Sequence, residues 1–340
     1  MTYQEFIDEW NNSLPTIHVH TSGSTGKPKS MVVEKQRMVN SAKMTCNFLQ
    51  LKEGDTALLC MSLNYIGAKM MVVRSLVQHL RLIQVEPSGH PLATVNTPLT
   101  FAAMVPLQVY NSLQVPEERE KLRQIQHLII GGGAINDDLA TQLHNFPHSV
   151  WSTYGMTETL SHIALRRING SHSDLWYTPL QGIDISLNKE HCLIIHAPHL
   201  HSTPIITNDI AEMHTNNCNQ LQFRIIGRRD NTINTGGVKV QIEEVERLLH
   251  PHLTLPFMIT KAPDSKFGEI VVILIETQYP PKQQSSIFSS IRSICQQALP
   301  KYWQPRQYVA TPHLPMTGNG KPDRAQAQII IHNCTKRIFI

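Results

Sequence analysis

The sequence predicts an α/β protein with a large N-terminal α/β domain and a small C-terminal α+β domain. The large domain should hold a mostly parallel sheet, because short apolar runs alternate with helical patterns through the first half of the 340-residue chain. From 182 to 226 the pattern changes to short strands separated by Asn, His and Pro, which indicates a β-rich subdomain. A polar, glycine-bearing segment at 227–237 then precedes a new series of elements. We expect domains at 1–229 and 230–340.

Apolar spacing predicts the individual elements in order. In the large domain we expect strands at Ile17–His20, Thr56–Met61, Leu82–Val85, Leu99–Val105, His127–Ile130 and Ser149–Thr153. Helices are expected between them at Glu34–Leu49, Ile66–His79, Pro116–Gln124 and Asn136–His144. In the small domain we expect a helix at Gln241–His250, strands at Phe257–Thr260 and Glu269–Glu276, a helix at Ser285–Leu299 and a strand near Tyr308.

Composition narrows the classes of function. Lysine and arginine exceed aspartate and glutamate by only 4, without a dense basic stripe, so no nucleic-acid partner is expected. No apolar run is long enough for a membrane span, and the N-terminus lacks the features of a secretory signal, so we expect a cytoplasmic protein. The 6 cysteines are isolated, which argues against disulfides and zinc sites. The histidines at 196, 199 and 201 are interrupted by a proline and favour a surface loop over a metal site.

The strongest local signal is the segment Thr21–Lys29, which contains hydroxyl side chains, two glycines and two lysines directly after a predicted strand. Glycines let backbone N–H groups turn toward a phosphate, and Lys27 adds charge. The spacing does not match a Walker A loop, which would need Gly at 21 and Ser or Thr at 28. The segment predicts a phosphate-binding loop; the alternative is a solvated Ser/Gly loop.

Three other motifs suggest chemistry, although each has an ordinary structural explanation. Tyr154–Glu158 places a carboxylate beside a hydroxyl at a strand end, where Mg²⁺ and a phosphate could bind; the alternative is a solvated glutamate. Asp209, after Thr-Asn, could accept hydrogen bonds from ribose hydroxyls, but Asn-Asp is also a common turn. Pro315–Lys321 is a glycine-rich loop that presents Lys321, and alone it reads as a solvated charge.

Taken in order, these motifs resemble the adenylate-forming enzymes: acyl-CoA synthetases, peptide-synthetase adenylation domains and luciferases. The resemblance also includes Gly227–Asp230, Gly236-Gly237 and Arg324. The segment at 58–75 and the loop at 131–134 are similar to o-succinylbenzoate–CoA ligases of menaquinone biosynthesis, particularly a short bacterial form.

The sequence also departs from the family pattern. Members usually have a long segment before the phosphate loop, which here begins at Thr21, so we expect a shortened N-terminal subdomain. A common histidine is replaced around Asn64-Tyr65, and Met316 replaces a common lysine.

The resemblance implies two half-reactions, in which a carboxylate attacks ATP to give an acyl-adenylate and the thiol of CoA then displaces AMP. ATP, Mg²⁺ and CoA are therefore expected, with a small carboxylic acid as substrate. The catalytic residues would be Lys321, Thr157 and Glu158, with Glu158 on Mg²⁺. Lys321 would be delivered and withdrawn by movement of the small domain. The other implied roles are phosphate binding by Thr21, Ser22, Gly23, Ser24, Thr25, Gly26 and Lys27; ribose or adenine binding by Asp209, Arg228, Gly132, Gly133 and Tyr154; a hinge at Asp230; and a CoA channel at Gly236 and Gly237.

The acyl pocket is predicted from fewer signals. We name Tyr65, Lys69, Arg74 and Gly131, with Lys69 and Arg74 as cations for a second carboxylate of the acid; the alternative is that both are solvated on a helix face. For Gly236-Gly237 the alternative to a CoA channel is a simple turn.

Three functions remain open at this point. They are an acid–CoA ligase for o-succinylbenzoate, an adenylate-forming ligase for another acid or a carrier-protein thiol, and a non-catalytic nucleotide-binding module. The sequence leaves the choice between a monomer and a homo-oligomer open.

Overall fold

A computed structural model describes residues 1–20, 30–316 and 322–337, with 281–283 and 335–337 described by backbone only. These residues form two compact units. Unit 1 comprises Met1–Asn188, Ile194–Thr207 and Met213–Arg224, and unit 2 comprises Lys189–Leu193, Asn208–Glu212 and Ile225–Ile340. The predicted domain boundary at 229/230 stays a prediction.

Helices and strands alternate through most of the chain before residue 168. In chain order the elements are α1 (Tyr3–Asn11), β1 (Thr16–His20), β2 (Ser30–Glu34), α2 (Lys35–Leu49), β3 (Thr56–Leu59), α3 (Ile66–Gln78), β4 (Arg81–Gln84), β5 (Phe101–Met104), α4 (Pro106–Gln114), α5 (Pro116–Arg123), β6 (His127–Ile130), α6 (Asp137–Leu143), β7 (Ser149–Gly155) and β8 (His162–Arg167). Within the described ranges, no helix is long and apolar enough to cross a membrane.

A seven-stranded sheet organises unit 1 and includes β9 (Thr178–Pro179). The strand order is β4-β3-β5-β6-β7-β8-β9, and neighbours are parallel from β4 to β7, whereas β8 and β9 are antiparallel. The central strands consist of apolar residues because helices cover them: Leu58, Ala102, Leu128 and Val150 all lie in one buried cluster. The predicted α/β class with a mostly parallel sheet is confirmed.

Strands β8 and β9 of this sheet were not predicted, nor were three elements near it. Helix α1 begins at Thr2, which forms a capping box with Glu5, and it buries Phe6. Strand β2 pairs antiparallel with β1 from His20↔Ser30 to Thr16↔Glu34, so β1 belongs to a separate two-stranded sheet and not to the parallel one. Helix α4 starts at Pro106, which takes the first helical position, where its missing N–H is tolerated.

The predicted β-rich region consists of β10 (Asp184–Leu187), β11 (Cys192–His196), β12 (Ile205–Thr215) and β13 (Leu221–Arg228). These strands form a four-stranded sheet in the order β10-β11-β12-β13.

Unit 2 is an α+β structure built around a second mixed sheet. After a 3₁₀ turn at Arg229–Asn231 come β14 (Thr232–Thr235), β15 (Val238–Gln241), α7 (Ile242–Leu249), β16 (Phe257–Asp264), β17 (Gly268–Glu276), α8 (Pro281–Ala298), β18 (Gln307–Thr311) and α9 (Arg324–Arg337). The order is β15-β14-β17-β16, and β18 pairs with β17 in parallel. Helix α9 was not predicted, and neither were β14 and β15, the first of which lies within the segment at 227–237 that was expected to be a polar connection.

The central strand β17 has apolar side chains on both faces, which explains its continuous hydrophobic run. Ile273 and its alternate neighbours pack with α7 and α8, whereas Val272 and Leu274 pack with Ala327 and Ile331 of α9. Because side chains of a strand alternate between the two faces of a sheet, a strand covered on both sides needs apolar residues at every position.

Candidate active site

Two of the predicted groups fall on residues that the structure does not describe. The phosphate-binding residues Thr21, Ser22, Gly23, Ser24, Thr25, Gly26 and Lys27 and the catalytic Lys321 lie outside the described ranges. In sequence the first group lies between the paired strands β1 and β2, whose described ends are His20 and Ser30.

The glycines at 131–133 directly follow β6, at the edge of the sheet where the parallel strands have their carboxyl ends. Open α/β sheets bind ligands at this edge. Strand β7 is the parallel neighbour of β6, and Thr153 Oγ1 donates a hydrogen bond of 3.3 Å to the carbonyl oxygen of Ile130. A Cβ at Gly131 would overlap that Thr153 hydroxyl. Gly132 has φ of +80°, a conformation that favours glycine. The two segments therefore approach closely because Gly131 lacks a side chain.

The turn from Tyr154 to Ser161 joins β7 to β8 and contains the predicted Thr157 and Glu158. The Thr159 hydroxyl fixes the turn, because its oxygen accepts from Met156 N at 3.0 Å and lies 2.7 Å from the carbonyl oxygen of Ser161. Leu160 has φ of +65°, which is strained for a non-glycine residue. A Cβ at Gly155 would overlap the backbone of Ser161 and His162. This compact turn thus requires glycine at 155.

Tyr154 packs in an aromatic cluster of unit 1. Its ring lies 5.1 Å from Phe223 and 5.9 Å from Tyr177, measured between ring centroids. Tyr177 is held by a 2.8 Å hydrogen bond between its hydroxyl and Ser152 Oγ. The cluster gives the Tyr154 ring a defined position beside the turn.

Thr157 and Glu158 differ in environment. Thr157 is 8% exposed, whereas Glu158 is half-buried and has no hydrogen-bond or ion-pair partner within the described part of the chain. Among the described residues, no group of three or more His, Cys, Asp or Glu could hold a metal. One uncommitted carboxylate nevertheless fits Mg²⁺, which commonly binds one or two carboxylates together with substrate phosphates and water.

Of the three side chains predicted for the acyl pocket, Lys69 and Arg74 lie on helix α3 and Tyr65 directly precedes it, and they differ in exposure. Tyr65 precedes the helix and is 44% exposed. Lys69 and Arg74 are 2% and 1% exposed, so the alternative of two solvated charges is wrong. Lys69 Nζ donates a 2.7 Å hydrogen bond to the carbonyl oxygen of His18 and lies 5.8 Å from the Phe6 ring centroid. Lys69 therefore ties α3 to β1.

Arg74 is a buried cation without a carboxylate partner among the described residues. Its Nη2 donates to Ser161 Oγ in the β7–β8 turn, Nη1 lies 3.9 Å from the sulfur of Met71, and Nε has no partner. Burial lowers the pKa of the Arg74 guanidinium to about 10, although Cys46 opposes this effect. Within the described part of the chain, the guanidinium of Arg74 therefore has one oxygen acceptor, and this acceptor, Ser161, belongs to the turn that holds Thr157 and Glu158.

In unit 2 the predicted ribose residues and hinge residue form one ionic cluster. Arg228 donates to Asp209 Oδ1 at 3.2 Å and to Asp230 Oδ2 at 3.0 Å. Burial lowers the pKa of Arg228, but the hydrogen bond to Asp230 and the charge of Asp209 outweigh it, so the pKa is raised overall. Asn208 also donates to Asp230, at 3.4 Å. The structure therefore brings Asp209, Arg228 and Asp230 together.

Gly236 and Gly237 form the two-residue turn of the β14–β15 hairpin. Their φ values are +57° and +82°, as a type I′ turn requires at both central positions. A Cβ at Gly236 would also lie 3.2 Å from Cδ1 of Phe267. The turn alone accounts for both glycines, and their role in a CoA channel stays a prediction.

Sequence reasoning missed the residues that surround Arg74. Ser161 Oγ accepts from Arg74, and His162 contacts both Ser161 and Thr45. The available signal was the polar pair Ser161-His162, which stands directly before the apolar strand Ile163-Ala-Leu165 and just after the Tyr154–Glu158 motif. A polar pair leading into a buried strand needs hydrogen-bond partners.

Comparison with known proteins identifies the family. The sequence model described as AMP-binding enzyme matches residues 8–188, slightly more than half of the chain. The chain belongs to the AMP-binding enzymes. A solved structure of an acyl-CoA synthetase (AMP-forming)/AMP-acid ligase II-like protein from Dyadobacter fermentans is 31% identical, with a TM-score of 0.63, and the alignment covers 96% of this chain and 92% of that one.

Two further relatives of this AMP-binding enzyme have named substrates. The 2-succinylbenzoate–CoA ligase of Haemophilus influenzae is 25% identical over 316 residues, covering 88% of this chain and 67% of that enzyme. The o-succinylbenzoate coenzyme A synthetase of Bacillus subtilis, solved with ATP and magnesium, is 20% identical with a TM-score of 0.72, covering 91% of this chain and 69% of that one. The predicted family of AMP-forming acid–CoA ligases is confirmed, and with it the adenylate-forming fold.

Proposed function

We propose that this AMP-binding enzyme converts 2-succinylbenzoate into its CoA thioester. In the first step a carboxylate oxygen of the acid attacks the α-phosphorus of ATP, and pyrophosphate leaves. In the second step the thiol of CoA attacks the acyl carbon of the adenylate, loses its proton and releases AMP. Such chemistry depends on positioning and charge neutralisation more than on a nucleophilic side chain.

The observation that carries the choice of acid is Arg74. It is 1% exposed and has no carboxylate partner among the described residues, yet it donates to Ser161 in the turn that carries Thr157 and Glu158. A buried cation is costly unless it is paired. An acid with two carboxylates could leave one for activation while the other pairs with Arg74. The relatives named as ligases of 2-succinylbenzoate, which has two carboxylates, support this choice.

The nucleotide would be held by the remaining predicted residues. Thr157 would contact the α-phosphate, and Glu158 would bind Mg²⁺, which neutralises phosphate charge when bound. Asp209 and Arg228 would hold the ribose, and Tyr154, Gly132 and Gly133 would lie against the nucleoside. The ion pair between Arg228 and Asp209 supports the ribose assignment because it gives the carboxylate of Asp209 a defined position beside a guanidinium.

The remaining roles concern residues at the two ends of the chain and in unit 2. Residues 21–27 would bind the β- and γ-phosphates, and Lys321 would place its ammonium between the attacking carboxylate and the α-phosphate. The flexible stem and compact charge of lysine suit this task. Asp230 would act as the hinge, and Gly236-Gly237 would border the pantetheine arm of CoA.

Acid-dependent exchange of pyrophosphate into ATP tests the proposal. The acids are 2-succinylbenzoate and the two matched monocarboxylates, 3-benzoylpropionate and 2-butyrylbenzoate, each of which lacks one carboxylate. Whichever carboxylate is activated, one of the monocarboxylates retains it. We expect exchange with 2-succinylbenzoate at a KM at least about tenfold below that of the better monocarboxylate, because a charge-assisted hydrogen bond contributes about 1.5–3 kcal/mol.

Other outcomes would assign a different function. Faster exchange with an unrelated acid from a broad panel would indicate an adenylate-forming ligase for that acid or for a carrier-protein thiol. Binding of ATP without exchange for any acid would indicate a non-catalytic nucleotide-binding module, and it would refute the proposal.

A further inference from the structure

A buried chain of hydrogen bonds connects Arg74 to the backbone of α2 through three side chains. Arg74 Nη2 contacts Ser161 Oγ, and Ser161 Oγ lies 3.3 Å from His162 Nδ1. On the other side of the imidazole, Nε2 lies 3.0 Å from Thr45 Oγ1, and Thr45 Oγ1 lies 3.3 Å from the carbonyl oxygen of Ser41. Arg74, His162 and Thr45 are all buried.

The direction of each bond follows from the chemistry of the groups. A guanidinium only donates, so Ser161 Oγ accepts from Arg74 and has one hydrogen left, which it can give to His162 Nδ1. A carbonyl only accepts, so Thr45 gives its single hydrogen to Ser41 and must accept from His162 Nε2. One arrangement satisfies every member: a neutral imidazole with its proton on Nε2. Burial, followed by the charge of Arg74, lowers the pKa of His162 well below 6.5, in agreement with a neutral ring.

We propose that His162 is a positioning residue for acid binding: its Nδ1 fixes the Ser161 hydroxyl, which in turn holds the Arg74 guanidinium facing the second carboxylate of the acid. This inference rests on the proposed function for the role of Arg74, and it adds a residue that does not touch the substrate. A single ordinary acceptor holds Arg74 among the described residues, so the orientation of the guanidinium depends on Ser161. Ser161 would otherwise be free to rotate its hydroxyl.

Two substitutions separate the two contacts of the imidazole. In His162→Asn the amide oxygen replaces Nδ1 and can still accept from Ser161, but the side chain is too short for Thr45. In His162→Gln the amide group reaches Thr45 in place of Nε2, but no acceptor remains next to Ser161. Both variants are uncharged amides of similar polarity. They therefore form a matched pair that differs in the contact leading to Arg74.

Kinetics of pyrophosphate exchange provide the first test. We expect His162→Gln to raise the KM for 2-succinylbenzoate about tenfold with little change in kcat, because an interaction lost equally in the ground and transition states changes KM alone. His162→Asn should keep the KM within about twofold of the wild type. The KM for the better monocarboxylate should be the same in all three proteins. Equal KM increases for both variants and for both acids would overturn the inference and indicate a purely structural histidine.

NMR provides a second test that needs no turnover, so failure of the proposed function and failure of this inference can be told apart. In ¹⁵N-labelled protein, the His162 ring, assigned by comparison with His162→Asn, should show a proton on Nε2 and an unprotonated Nδ1. The Nη signals of Arg74, assigned by their loss in Arg74→Met, should be resolved in the wild type and His162→Asn but averaged by rotation in His162→Gln. A proton on Nδ1, or Nη signals unchanged in His162→Gln, would refute the positioning role even if the acid is turned over.

Discussion

Replacing Arg74 by methionine should make the ligand-free protein more stable while it impairs the use of a dicarboxylic acid. Arg74 is 1% exposed, it has no carboxylate partner among the described residues, and its Nε has no hydrogen-bond partner. A guanidinium in this environment destabilises the folded state unless a ligand compensates its charge. Methionine fills a similar volume without the charge.

The magnitude follows from the pKa of Arg74. Burial lowers that pKa to about 10, and at about 1.4 kcal/mol for each pH unit the depression corresponds to a cost of about 3 kcal/mol. At pH 7 the guanidinium is charged in both the folded and the unfolded protein, so the folded state is destabilised by the full amount. Because folding lowers the pKa of this base, the destabilisation decreases only as the pH rises above 10. Loss of the hydrogen bond to Ser161 offsets about 1 kcal/mol. We expect a net stabilisation of about 2 kcal/mol.

Urea unfolding at pH 7 measures the first effect, and pyrophosphate exchange measures the second. The KM for 2-succinylbenzoate should rise by about 10- to 100-fold in Arg74→Met, because charge-assisted hydrogen bonds to the second carboxylate are lost. The KM for the better monocarboxylate should stay within about twofold. The preference for the dicarboxylate should therefore disappear while the protein becomes harder to unfold.

Lys69→Met is the matched control, since Lys69 is an equally buried cation on the same helix. Its ammonium already donates to the carbonyl oxygen of His18, so we expect the preference for the dicarboxylate to be unchanged. A destabilised Arg74→Met protein would refute the argument that the charge of Arg74 is uncompensated. An unchanged KM for 2-succinylbenzoate would refute the proposed contact with the acid.

Four further predictions concern other parts of the site. Gly155→Ala should destabilise the protein by about 1–3 kcal/mol in urea unfolding, because the new Cβ meets the backbone of the turn, whereas Gly67→Ala, with only ordinary contacts, should not; equal effects would contradict this. Arg228→Lys should raise the KM for ATP about tenfold, because a single ammonium cannot replace a guanidinium that contacts both Asp209 and Asp230. Stability should change little, because the side chain of Arg228 is 38% exposed and such ion pairs contribute little to folding. An unchanged KM would count against the ribose role. Below pH 6.5 His162 is protonated in the unfolded state but stays neutral in the folded state, so the free energy of unfolding should fall with decreasing pH, by up to about 1.4 kcal/mol per pH unit. The free energy of unfolding of His162→Asn should fall less steeply. Parallel plots of unfolding free energy against pH for the two proteins would exclude this contribution. Lys321→Ala should nearly abolish pyrophosphate exchange yet convert a supplied acyl-adenylate into thioester, and equal loss of both steps would contradict the assigned role.

Much of the fold could be predicted because its signals are local and periodic. The helix at Ile66–Gln78 and the strand at His127–Ile130 match the expected elements closely, since each has a single apolar pattern bounded by turn residues. Helix α1 was missed although its signals are local, namely the capping box of Thr2 and Glu5 and the helical spacing of Phe6, Ile7 and Trp10. Strand β2 was missed because it is short and mostly exposed, so that its pairing with β1 stabilises it more than its own pattern does.

The site was harder to predict where distant segments meet. Thr157 and Glu158 were predicted from one short motif, and Asp209 and Arg228 from their place in the motif order, and their roles stay predictions. The burial of Arg74 could not be foreseen, because the pattern of α3 does not show which of its faces is covered. That is decided by the packing of α2 against α3 and by the contact of Arg74 with Ser161 in the β7–β8 turn. Ser161, which accepts a hydrogen bond from Arg74, is separated from it by 87 residues in sequence, and no local pattern predicts such a contact.

We propose above all that this AMP-binding enzyme joins a dicarboxylic acid to CoA with cleavage of ATP to AMP and pyrophosphate. Mass spectrometry of the products after incubation with ATP, Mg²⁺, CoA and 2-succinylbenzoate tests it most directly. We predict equal amounts of AMP and of the 2-succinylbenzoyl-CoA thioester, both dependent on the acid. If ATP binds but neither AMP nor a thioester forms with 2-succinylbenzoate, the claim is contradicted.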